Sequence, residues 1–73
     1  MYKAELEIIL KNGETLRLVH KTGKTDTLAI LNDIVKMTDN PNVWLALEDV
    51  DGVNCVLKMS EVCFIEVAKL TQC

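Results

Sequence analysis

Aromatic side chains are scarce in this chain. Tyr2, Trp44 and Phe64 are the only three, 4% of 73 residues, although 49% of the sequence is hydrophobic. Any core must therefore be aliphatic, built of Leu, Ile and Val, and few rings remain on which nucleotide bases could stack. Basic charge is also in short supply. Eight Lys and Arg against eleven Asp and Glu leave a formal net charge of −3. That balance argues against a general nucleic-acid binder, which needs a basic surface to displace counterions, and it is too mild for a nucleic-acid mimic.

Cysteines number three, Cys55, Cys63 and Cys73, an odd count with no C-x-x-C pair. This argues against a disulfide framework, and the spacings, even with His20 added, match no zinc pattern. Cys55 and Cys63 read as small core hydrophobes and Cys73 as a free thiol. No apolar run reaches membrane-spanning length, and Met1-Tyr2-Lys3-Ala4-Glu5 leads straight into an amphipathic strand rather than a signal peptide. These features predict a soluble protein in a reducing cytoplasm. At 73 residues the chain is expected to be one domain, near the lower limit for folding unaided. A second copy would help to bury its surplus apolar surface.

What is present is mostly architecture. Ala4, Leu6, Ile8 and Leu10 alternate with more polar neighbours, and Leu16 and Leu18 do so after Asn12-Gly13. A two-residue loop would set Ile8 against Arg17. A three-residue loop over Lys11-Asn12-Gly13, with glycine at positive φ, pairs Leu6 with Leu18, Ile8 with Leu16 and Glu7 with Arg17. The same argument at Val50-Asp51-Gly52 pairs Leu47 with Cys55, Leu45 with Leu57 and Val43 with Met59. Between the hairpins, Leu28, Ile30, Leu31, Ile34, Val35 and Met37 cover about half the circumference of a helix. Thr25 or Asp26 caps its start and Pro41 lies beyond its end. The last strand, from Val62 to Leu70, is apolar on both sides: Cys63, Ile65 and Val67 against Val62, Phe64, Ala68 and Leu70. That pattern predicts burial on both faces.

The expected fold is α+β in the order ββαβββ. Strands fall over residues 2–11, 14–20, 43–49, 53–59 and 62–70, with a helix over 26–37. The sheet is mostly antiparallel, either bent and open with the helix across it or partly closed as a barrel.

Chemical motifs are weak. Gly23-Lys24-Thr25 stands between a strand and a helix, as in a phosphate-binding loop. The full motif needs another glycine five residues before Gly23, where this chain has Leu18. Lys21, Thr22, Gly23, Lys24 and Thr25 are left as a candidate site for a single anion, against the plainer reading of a solvated loop. His20 has no nucleophile at an arguable spacing and reads as structural. Glu48, Asp49 and Asp51 lack the spacing of a calcium loop and read as solvated charge. Trp44 faces away from Leu45 and Leu47, opposite Lys58, with Ala46 and Val56 beside it; the helix covers this group or it is an exposed contact patch.

The leading expectation is a non-catalytic protein-interaction module, homo-oligomeric, acting as a regulator or inhibitor of a larger partner through Trp44, Ala46, Val56 and Lys58. No cofactor or metal is expected. The alternative is a small-barrel module binding a ligand, single-stranded nucleic acid or phosphate through the Lys21–Thr25 loop.

Overall fold

The computed structural model describes residues 1–40 and 42–73. Five strands and one helix follow in the order β1 (Tyr2–Leu10), β2 (Thr15–Thr22), α1 (Thr27–Met37), β3 (Trp44–Asp49), β4 (Asn54–Lys58) and β5 (Val62–Gln72), with a 3₁₀ turn at Met59–Glu61 before β5. All pairings are antiparallel, and the spatial order is β4-β3-β2-β1-β5. The architecture is α+β.

Both hairpins have the bulged three-residue loops that their patterning predicts. Leu6 stands opposite Leu18, Ile8 opposite Leu16 and Glu7 opposite Arg17. In the second hairpin Leu45 meets Leu57 and Leu47 meets Cys55. Gly13 and Gly52 take φ of +90° and +82°, the left-handed region that glycine enters without a Cβ penalty. Side chains stabilise the turns further. Asn12 Oδ1 accepts from the Glu14 N–H at 2.9 Å. Asp49 Oδ1 accepts from the N–H groups of Asp51 and Val53, both at 2.9 Å. Asp49 is thus a turn residue whose carboxylate is already occupied. Val43 and Met59 are joined by a 3.0 Å bond from the Met59 N–H to the Val43 carbonyl.

Asp26 is the helix N-cap, its carboxylate accepting from the Leu28 N–H at 3.0 Å. At the other end the Thr38 hydroxyl donates to the Ile34 carbonyl at 2.6 Å. Pro41, the expected stop, lies outside the described residues. The helix buries a narrower stripe than its periodicity suggests. Ile30 and Ile34 are enclosed, whereas Leu28, Val35 and Met37 are exposed. Its principal neighbour in the sheet is β5. Ile30 and Ile34 pack with Ala4, Leu6 and Ile8 of β1, Leu18 of β2, and Leu45 and Leu57 of the second hairpin to form the core. Strand β1, paired on both sides, therefore turns its even-numbered residues to the helix and its odd-numbered residues to the opposite, outer face.

One feature departs from the sequence expectation, and a second decides between its two alternatives. First, β5 is not buried on both sides. Its register against β1 shifts between Glu5 and Leu6 and again between Ile9 and Leu10. Each shift inserts an extra residue, Ala68 in one case and Cys63 in the other. A bulge reverses the inside-outside alternation beyond it. Val62, Ile65, Val67 and Leu70 all end up on the core side, opposite Leu10, Ile8, Leu6 and Ala4, while Phe64, Glu66 and Lys69 face outward. Cys63 is exposed rather than a core hydrophobe, and Cys55 is half-buried, its thiol 3.3 Å from the Leu47 carbonyl.

Second, the sheet is bent but not closed. β4 and β5 remain its two edges, with no pairing between them. Yet the 3₁₀ turn of three residues carries the chain from one edge to the other. The Met59 N–H bonds to Val43, at the start of β3, and the Glu61 carbonyl accepts from the Lys11 N–H at 2.8 Å, at the end of β1. Only a strongly curled sheet brings those strand ends within reach of one turn.

Candidate functional site

The outer face carries the most distinctive surface. Trp44 pairs across β3–β4 with Lys58, and Ala46 with Val56. Leu45, Leu47 and Leu57 point to the helix side, so these four alternate residues point away from it. The helix does not cover them. Trp44 is 60% exposed and Val56 65%, and Ala46 is exposed too. The Lys58 ammonium lies 6.0 Å from the centre of the Trp44 ring, at the outer limit of a cation–π contact. Sequence reasoning placed the four together, and in the structure they form one patch.

A polar stripe separates this patch from the far edge. Arg17 on β2 reaches Glu7 at 3.3 Å and Glu5 at 3.6 Å on β1. With the guanidinium about half exposed, such pairs contribute little to stability, but they mark where the apolar outer surface ends. Beyond the stripe, Phe64 is exposed, flanked on the same face by Ile9, Glu66 and Lys69. Phe64, Glu66 and Lys69 were not identified as a group from sequence, because only the bulge at Ala68 brings Lys69 to the face of Glu66.

Between β2 and the second hairpin the sheet opens. The two strands pair only at Leu18–Asp49 and Val19–Glu48. Past Val19 they diverge around a cleft of about 530 Å³, lined among others by His20, Lys21, Ala46, Leu47 and Cys55. His20 lies opposite Ala4 on the core side and is half-buried, a wall of this cleft.

Lys21 and Thr22, expected in a loop, are the last residues of β2, paired with Lys3 and Tyr2, and the Lys21–Thr25 segment is not gathered around a common point. Thr22 is buried, and its hydroxyl oxygen accepts from the Lys24 N–H at 3.1 Å. The Lys24 ammonium sits 2.7 Å from Asp33 on the helix. That hydrogen bond, with the charges of Lys24, Lys36 and His20, holds the Asp33 carboxyl below its usual range despite some desolvation. Lys21, Gly23 and Thr25 are exposed. The helix N-terminus, the other part of an anion cradle, is occupied by Asp26.

Among the described residues no three His, Cys, Asp or Glu side chains are placed to share a metal ion, and no helix is long and apolar enough to cross a membrane. No protein-family model, curated protein or solved structure matches the chain.

Proposed function

We propose that the protein works by contact rather than catalysis: a homo-oligomeric interaction module of the cytoplasm that docks a larger partner on its Trp44 face and regulates or inhibits it. The exposure of Trp44 beside Val56 and Ala46 carries this reading. Tryptophan is enriched at the energetic centres of protein interfaces because it buries a large area with little rotamer entropy to lose. Here it stands on a paired hairpin, held by its neighbours before any partner arrives, and Lys58 and Glu48 supply a polar rim. The three free thiols suit a reducing compartment.

The reading is tested by Trp44→Ala. The variant should keep its far-UV circular dichroism and lose a partner that the wild-type protein captures from host extract. Collapse of the fold instead would place the ring in the core and remove the patch.

Binding of phosphate or single-stranded nucleic acid at the Lys21–Thr25 loop draws less support. Lys24 is engaged by Asp33 and the helix end by Asp26, and among the described residues of that segment this leaves only Lys21, at the end of β2, as an uncommitted cation.

A further inference from the structure

β5 is an edge strand of eleven residues, hydrogen-bonded on one side only. Monomeric proteins generally keep edges short or interrupt them, because an open row of N–H and C=O groups recruits another strand. β4, the opposite edge, has five residues. We propose that β5 pairs antiparallel with β5 of a second copy about a two-fold axis between Val67 and Ala68, setting Glu66 against Lys69 of the other copy and Lys69 against its Glu66. This deepens the self-association part of the reading above and rests on it.

Three observations select this register. The first is geometric. In a regular strand, Glu66 and Lys69, three apart, would lie on opposite faces. The extra residue Ala68 puts both on the outer face, opposite Glu7 and Glu5 of β1. Two-fold pairing about the bulge then sets outer residues against outer ones (Glu66 with Lys69, Phe64 with Thr71) and core-side residues against core-side ones (Ile65 with Leu70). A one-residue slip sets outward residues against inward ones, and a two-residue slip separates Glu66 from Lys69. A bulge commonly turns an edge away from partners; at the two-fold axis it meets its own image.

The second observation is electrostatic. Within one chain Glu66 stands directly opposite Glu7, a like-charge pair. The nearby guanidinium of Arg17 is shared between Glu5 and Glu7, and among the described residues no cation lies within ion-pair distance of Glu66. Lys69 of a second copy would supply it, twice per dimer.

The third is apolar continuity. A groove of about 280 Å³ runs between α1 and the start of β5, lined by Leu31, Val35, Val62 and Ile65 among others. Val35 is exposed there. The proposed pairing carries Leu70 of the other copy alongside Ile65 at this groove. It also sets the two helices on the same side of a continuous sheet, so that contact extends beyond the backbone edge.

The test is a charge exchange read by sedimentation across a concentration series at low salt, with reductant present. Wild type should be a dimer. Glu66→Lys and Lys69→Glu, each creating two like-charge pairs per dimer, should weaken association about tenfold or more, and the double exchange E66K/K69E should bring it back to near wild type. Circular dichroism checks that each variant keeps its fold. A dimer indifferent to the single reversals, or one not restored by the double exchange in a folded protein, overturns the β5 pairing and leaves self-association standing. An assembly larger than a dimer also overturns it, because a two-fold contact closes at two copies. A wild type that stays monomeric removes self-association altogether, and the Trp44 patch then stands or falls on its own experiment.

Discussion

Ile34 and Leu28 offer the sharpest test of how the helix sits. Both are aliphatic, both lie on the apolar arc of α1, and periodicity alone treats them alike. The structure separates them: Ile34 is 1% exposed and Leu28 64%. Ile34→Ala removes three buried carbons, worth about 2.4 kcal/mol at ~0.8 kcal/mol per methylene. Ile34 belongs to the buried core cluster, so a cavity contribution adds to this, and a loss of about 3 kcal/mol is expected. A chain of this size has roughly 4–11 kcal/mol of stability in all, and a loss of that size lowers Tm by about 12–24 °C. Leu28→Ala should cost under about 1 kcal/mol, since most of the side chain already meets water and alanine is the better helix former. The assay is urea unfolding followed by far-UV circular dichroism at one fixed protein concentration, because self-association would make the midpoint concentration-dependent. Trp44 fluorescence is a poorer probe, the ring being exposed before unfolding. Equal losses at the two positions, or less than about 1 kcal/mol at Ile34, would refute the placement of the helix.

Two further outcomes follow from the same geometry. Gly52→Ala should cost about 1 kcal/mol through φ of +82° alone, since a Cβ there meets nothing within 4 Å; a neutral result in urea unfolding would mean that the turn does not need the left-handed residue. The Lys24–Asp33 pair predicts an acid-sensitive contribution. Because the folded Asp33 pKa lies below its unfolded value near 4, the gain is complete above that value and disappears as pH falls through the folded pKa. The stability of Asp33→Asn relative to wild type should therefore improve as pH drops from about 5 to 3, most visibly at low salt, where exposed charges are least screened; a difference that is flat in pH would show that the pair contributes nothing.

The candidate surfaces were legible to different degrees, for physical reasons. The Trp44 patch could be read in sequence because it lies on a hairpin whose loop sets its register: once Leu45 is assigned inward, Trp44 must point outward. Whether the helix lay over it could not be read, since both faces of that hairpin carry apolar residues. Lys24 looked like an anion ligand because its neighbours in sequence are those of a phosphate loop. Its actual partner, Asp33, comes from what sequence showed only as the polar side of the helix. The Glu66–Lys69 face was invisible, because a bulge leaves no mark on the pattern of β5 beyond an apolar run that fails to alternate.

Local chemistry by itself determined the two hairpins with their glycine turns, a helix capped at Thr25 or Asp26, and the α+β class. Each depends on interactions within a few residues, where alternation, positive φ and capping leave few acceptable answers. Tertiary structure alone decided which apolar residues of the helix are buried, where β5 reverses its faces, and how far β3 follows β2 before leaving it. Those outcomes depend on how a curled sheet and one short helix share a small core between them, a competition among distant segments that no window of sequence contains.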